Sequence, residues 1–211
     1  MNPPETLAFH FDPICPWAWL TSRWATRLEE IGAIEVEWRL FSLWVINLPE
    51  GQAPTREARG RSGAALESLA LARRLGGGQA VARLFTAMGQ AAHGRHESLD
   101  DPAVLDQTWA EAGLDPSLRA AGAGDPTLWD DVLAEHQAAV AACQAFGVPT
   151  LILDAGAGPG IFGPVISEVP ADDEALALLE DVLRMARRPY LMELKRERGQ
   201  HASPASARAG D

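Results

Sequence analysis

The chain is 211 residues long, 47% hydrophobic and 22% charged, with a formal net charge of −11. That length is enough to bury a sizeable core, and the negative balance excludes nucleic acid and anionic membranes as partners, because neither finds a large cationic surface. Two cysteines, Cys15 and Cys143, are too few for a disulfide framework, and a bridge between them would consume both thiols. The opening MNPPETLAFHF lacks the basic start and long apolar run of a signal peptide. No apolar run reaches the roughly 18 residues of a membrane span. A reducing cytoplasm is the expected location.

Thr6 to Phe11 alternates apolar residues and predicts a strand. Leu20, Trp24, Leu28 and Ile31 then recur at helical spacing as far as Gly32. Cys15 therefore falls where a strand ends and a helix begins, with Pro16 at the first helical position, where a missing N–H costs nothing. A thiol there faces unpaired backbone N–H groups and the positive end of the helix dipole, and both favour the reactive thiolate over a merely structural cysteine. Trp17 and Trp19 flank it. An exposed indole at Trp17 would stack on a flat substrate, whereas Trp19 reads as core.

Ile34 to Leu43 predicts a second strand, so that strand, helix and strand form a βαβ unit with a right-handed crossover. Trp38 reads as core. Trp44, at the strand's C-terminal end, either packs in the core or lines a substrate cleft. A Pro- and Gly-rich change at residues 48–54 precedes a long helical region running to about Phe146. Val81, Leu84, Phe85 and Met88 form one stripe, and Val104, Leu105, Thr108, Trp109 and Ala112 another, stopped by Gly113. Asp101-Pro102, Asp115-Pro116 and Asp125-Pro126 each read as a capping carboxylate followed by a first-turn proline. The last of these helices carries Trp129, Val132, His136, Val140 and Cys143 on one face. His136 is either a satisfied core histidine or a proton shuttle reaching the cleft. His93 and His96 flank Gly94 in what reads as a surface loop. No metal-ligand spacing occurs, and Gly76-Gly77-Gly78 reads as a turn.

Thr150 to Asp154 and Ile161 to Ile166 predict an antiparallel hairpin across AGAGPG. A helix follows from Asp172, with Leu176, Leu179 and Leu183 inward, and another from about Pro189 to Arg198. From Gly199 onward the composition predicts disorder.

FDPICPWAWLTSRW, LFTAMG with the following His93, AEAGL, GVPT, IFGPVIS and a late ELKR occur in that order. Together they resemble the DsbA family, and within it the mycothiol-dependent nitroreductase branch, over about residues 6–198. The resemblance implies an α/β thioredoxin fold with a large α-helical insertion. Residues 1–50 would form the first half of that fold, 51–146 the insert capping the nucleophile, 147–198 the second half and 199–211 a tail. It implies a cis Pro149 against the nucleophile, with the Val148 backbone free to pair with substrate. Cys15 is then the catalytic nucleophile and His136 the accompanying candidate, while Pro16, Trp17, Trp44, Val148 and Pro149 would bind substrate. The expected cofactor is mycothiol or another low-molecular-weight thiol, without metal, and the expected partner is a small molecule.

One position departs from the family pattern. Where that branch carries a second cysteine, this chain has Ala18. Cys15 can form a covalent bond but cannot resolve it as an intramolecular disulfide. A dithiol oxidase role is excluded on this ground. Two chemistries fit a lone nucleophile: a reductase resolved by an external thiol, and a redox-neutral cis-trans isomerase working by reversible thiol addition to a conjugated double bond. A third reading is a binding protein that has kept the fold without the catalysis.

Overall fold

The computed structural model describes residues 4–197 and 201–202. The sheet has the order β2-β1-β3-β4, with β1 (Glu5–Phe11) parallel to β2 (Ile34–Leu40) and antiparallel to β3 (Thr150–Ile152), which pairs in turn with β4 (Gly160–Phe162). The crossover from β1 to β2 is helix α1 (Pro16–Glu30), and its C-terminus closes as the sequence predicts. Gly32 adopts φ +72°, its N–H donates to the Glu29 carbonyl and the Ala33 N–H to the Leu28 carbonyl, so that two orphan acceptors of the last turn are used.

Between the parallel pair and the hairpin lie the short helix α2 (Leu43–Ile46), α3 (Gly63–Gly89), α4 (Pro102–Glu111), α5 (Pro116–Gly122) and α6 (Thr127–Cys143). The glycine run predicted as a turn is a kink inside α3, where Gly77 takes φ +64°. The carboxylates of Asp101, Asp115 and Asp125 accept the N–H groups of Ala103, Ser117 and Thr127, as their Asp-Pro spacing requires.

These helices are fastened to the sheet by polar side chains along its open edge. Every second residue of β2 turns its backbone outward, away from β1. The Val36 N–H donates to Glu29, the Trp38 carbonyl accepts from Arg73, the Leu40 N–H donates to Glu135, and the Ser42 N–H just past the strand donates to His136 Nδ1. An exposed strand edge is a template for unwanted pairing. Here α1, α3 and α6 supply the partners, and Arg73 and Glu135 also pair with each other, Nε to Oε1, at 2.8 Å.

Two stretches differ from the sequence reading. The inward face of α7 (Asp172–Ala186) is Ala175, Leu179 and Val182, while Leu176 is 37% exposed. Small Ala175 lets α7 approach α1 closely enough for the Trp24 indole N–H to reach its carbonyl. The helix expected from Pro189 is not formed over the described residues, where Tyr190, Met192 and Leu194 are exposed. A short segment without a packed face does not recover its nucleation cost. The strands are also shorter than predicted, β2 ending at Leu40 and β4 at Phe162. The tail read as disordered lies outside the described residues, apart from His201 and Ala202.

Glu135→Ala leaves Arg73 poorly compensated and the Leu40 N–H without its acceptor. It should lower stability by about 3 kcal/mol, read by urea unfolding. Glu135→Gln, which keeps an acceptor for Leu40, should lose less.

Candidate functional site around Cys15

Cys15 is the N-cap of α1, with extended backbone (φ −82°, ψ 112°). Its Sγ accepts the Ala18 N–H at 3.5 Å, so the sulfur takes the place a serine or aspartate oxygen takes in an ordinary cap. On its other side the thiol donates to the Val148 carbonyl at 3.6 Å. The Val148–Pro149 bond is cis, and both residues are buried. Ala18 is fully buried. Pro16 and Trp17 are half-buried beside Cys15, whereas Trp19 is core, stacked near His93 and pressed against Gly89, where a Cβ would lie 2.1 Å from its ring.

The turn that presents Cys15 is organised from beneath by Asp12, which has no solvent exposure. One carboxylate oxygen accepts the Ile14 N–H at 3.2 Å. The other accepts the Leu43 N–H at 2.8 Å and the Ser62 hydroxyl at 2.9 Å, while the Asp12 carbonyl accepts the Cys15 N–H. Burial pushes the Asp12 pKa up to about 6, against the three hydrogen bonds, which pull it down. One side chain thus ties the Cys15 turn to the start of α2 and the start of α3.

Ile14, Leu43 and Ser62, the three residues bound by Asp12, line a cavity of about 820 Å³ together with Trp44, Asn47 and Gln52. Trp44 is 45% exposed. The cleft-lining alternative for Trp44 is the one its position matches.

His136 takes the core alternative, whereas His93 lies elsewhere than expected. His136 is buried, its ring 4.2 Å from that of Phe41 and its Nδ1 occupied by the Ser42 N–H. Burial lowers its pKa to about 4, which leaves the ring neutral at physiological pH. His93 is buried within a π-helical turn (Gln90–Gly94), and its Nε2 lies 3.0 Å from the Pro13 carbonyl. Since a carbonyl only accepts, Nε2 carries the proton. His93 therefore braces the turn leading to Cys15 and is no surface-loop residue. Asp12 and Ser62 went without a role in the sequence reading; Asp-Pro before a strand-to-helix cysteine was the one local signal for the first.

Cys143 is half-buried at the end of α6, where its thiol meets the Ala139 carbonyl and its side chain fills the space above Gly160. Neither cysteine is in a disulfide. Among the described residues no cluster of His, Cys, Asp or Glu is arranged to hold a metal, and no helix is long and apolar enough to cross a membrane.

A βαβ unit joined through a helical block to a β-hairpin, with a cysteine at the first helix and the carbonyl before a cis-proline against its sulfur, is the DsbA-like form of the thioredoxin fold. Solved structures share it. A cytosolic disulfide reductase DsbM from Pseudomonas aeruginosa with GSH aligns with a TM-score of 0.58 at 20% identity, over 85% of this chain and 99% of that one. A 2-hydroxychromene-2-carboxylate isomerase aligns with a TM-score of 0.59 at 16% identity, over 85% and 94%. The chain belongs to the Rv2466c-like family, described by the mycothiol-dependent nitroreductase Rv2466c, whose model matches residues 14–196. It is also 38% identical over 191 residues, 90% of this chain and 81% of the relative, to the uncharacterized protein Rv2286c of Mycobacterium tuberculosis. The family and the structural relatives are thiol oxidoreductases and an isomerase, and the site accords with an enzyme of either type.

The raised pKa of Asp12 makes a signed prediction. A carboxyl that binds its proton more tightly in the folded state stabilises the fold below its unfolded pKa of 3.8, and that stability is lost as pH rises through about 6. The loss is about 2–3 kcal/mol. His10 and His136, whose pKa values burial lowers to about 4, act in the opposite direction as pH falls below 6.5. The comparison is therefore between wild type and Asp12→Asn. Urea unfolding from pH 4 to 7 should show the wild type losing ground relative to the variant as pH rises; parallel curves would mean that Asp12 titrates normally.

Proposed function

We propose that the protein is a single-cysteine thiol enzyme that reduces a small molecule at Cys15, with an external low-molecular-weight thiol of the mycothiol type as reductant. The observation that carries this is Ala18. The position one helical turn beyond Cys15 is filled by a buried methyl group, and only its backbone N–H meets the sulfur. Cys143, engaged with the Ala139 carbonyl, is not a substitute. The second sulfur must come from outside.

The residues around the cavity fit such a thiol. Asn47 and Gln52 offer donors and acceptors to a polar body, and Ile14 belongs to the turn that presents Cys15. When bound, the thiol supplies the reducing equivalents: two thiols become one disulfide, and two electrons with two protons pass to the substrate. The chain itself provides the rest. Ala18 N–H and the α1 dipole stabilise negative charge on Sγ. Ionisation of Cys15 also gives up the contact to Val148, freeing that carbonyl beside Pro149 to pair with substrate. Pro16 and Trp17, half-buried beside Cys15, are outside the cavity lining and would meet substrate on the thiol's own side. We read His136 as a positioning residue that holds Ser42 and hence the α2 end of the cavity, in preference to a proton shuttle, because its ring is neutral and its Nδ1 is occupied. A reduced cytoplasmic thiol pool is the setting this chemistry needs.

A second reading is favoured by the lone thiol together with the likeness to the isomerase. Cys15, or a thiol held beside it, adds to a conjugated double bond; the adduct rotates about the resulting single bond, and elimination returns the thiol with no net redox change.

Ala18→Cys separates them. In a reductase the new thiol resolves the adduct internally, so turnover should persist and depend less on added thiol. In an isomerase it invites an inactivating disulfide, so activity should fall in air and recover with reductant while none is consumed per product. Cys15→Ser, which substitutes a good helix cap, should fold normally and lose turnover at least about a hundredfold under both readings. Alkylation should strike Cys15 before Cys143, whose pKa burial raises, even though Cys15 is the less exposed. Preferential labelling of Cys143 would remove Cys15 as the nucleophile.

A further inference from the structure

We infer that Arg61 is the anion-recognising residue of the cavity beside the Cys15 turn, and that its ligand is a planar, conjugated or aromatic carboxylate lying over Trp44. This rests on the reading of the cavity as a ligand site of the enzyme, gives it the substrate as an occupant beside the external thiol, and adds the chemical class it selects.

The tripeptide Gly60-Arg61-Ser62 is held on either side of Arg61. Gly60 has φ +68°, and a Cβ on it would fall 2.7 Å from the Trp44 indole. The backbone thus packs directly against the Trp44 side chain, and only glycine satisfies both the dihedral and the approach. Ser62 gives its hydroxyl to buried Asp12. Arg61 is exposed between these anchors and lines the cavity.

Its neighbours show what is unusual about it. Arg56 and Arg59 both pair with Glu67, at 2.5 and 3.6 Å. Among the described residues Arg61 makes no hydrogen bond or ion pair, in a chain whose net charge is −11 and where carboxylates outnumber cations. The carboxylate that shares the cavity, Asp100, lies beyond 4.0 Å of it, since no bridge joins them. Asp100 marks the rim where an anion is repelled, and Arg61 the rim where it is held.

A guanidinium presents a planar fork that matches a carboxylate in two parallel hydrogen bonds. The indole provides an apolar plane, braced from behind by Gly60, on which a flat π-system stacks. A ligand anchored at Arg61 and lying along Trp44 reaches the Leu43–Ile14 wall, where Ile14 belongs to the turn that presents Cys15. The arrangement selects a flat body carrying one carboxylate.

The test uses trans-cinnamate and its uncharged counterpart trans-cinnamamide as probes, with binding to the full chain read by titration calorimetry. Wild type should bind cinnamate about five- to tenfold more tightly than the amide. Arg61→Gln should abolish that preference while leaving amide binding within about twofold, because the guanidinium supports nothing else in the fold. Asp100→Asn should tighten cinnamate about twofold. Gly60→Ala, which displaces the indole, should weaken both probes. Equal binding of the two probes, no binding of cinnamate, or a preference that survives Arg61→Gln overturns the assignment. Because binding does not require the thiol, Cys15→Ser should give the same pattern. A chain that binds cinnamate through Arg61 but shows no thiol-dependent turnover would refute the enzyme reading and leave the anion site standing.

Discussion

The buried carboxylate of Asp12 is the constraint on which the rest of the site depends. Ionised groups are rarely taken fully out of water, and when they are, the surrounding donors must replace the lost hydration. Asp12 receives three, from the Ile14 and Leu43 backbones and the Ser62 hydroxyl, and these come from three separate segments of chain. The cost of burial is offset only when all three segments are in place. The same atoms therefore fix the turn carrying Cys15, the α2 wall with Trp44 and the α3 end that follows Arg61. A neutral hydrophobe at this position would fill the space but leave three donors unanswered.

That dependence extends outward through the strand edge. His136 accepts from Ser42, next to the Leu43 amide that Asp12 holds, and Glu135 beside it accepts from Leu40. The helical block and the sheet are consequently joined by polar contacts of fixed register, laid over apolar packing that specifies direction less closely. The titratable groups involved, Asp12 on one side and His10 and His136 on the other, oppose each other in their pH dependence, which favours a broad plateau near neutrality.

The features legible in the sequence are those with local causes. Cys15 at a strand-to-helix junction, Pro16 at the first helical position, the Gly32 stop and the Asp-Pro caps each follow from neighbours within four residues. Pro149 against Cys15 came from family resemblance, as did the helical insert. What could not be read depends on pairs distant in sequence. Asp12 meets Ser62 fifty positions on, and the β2 edge finds Arg73 and Glu135 in other helices. His93 looked like a loop residue because a π-helical turn has no clear periodicity. The α7 face was misjudged by one residue because leucine outranks alanine in hydrophobicity, while close packing against Trp24 favours the smaller side chain. The apolar residues after Pro189 suggested a helix, yet they have no surface to cover.

The central claim is that one sulfur of this chain carries the chemistry and an external thiol completes it. Intact-mass spectrometry tests it most directly, on protein exposed to the symmetrical disulfide of a low-molecular-weight thiol and then returned to that thiol in reduced form. The account predicts a single adduct of one thiol equivalent, located on Cys15, stable on standing and removed only by added thiol. An adduct that disappears unaided with formation of a Cys15–Cys143 disulfide, or modification confined to Cys143, would contradict it.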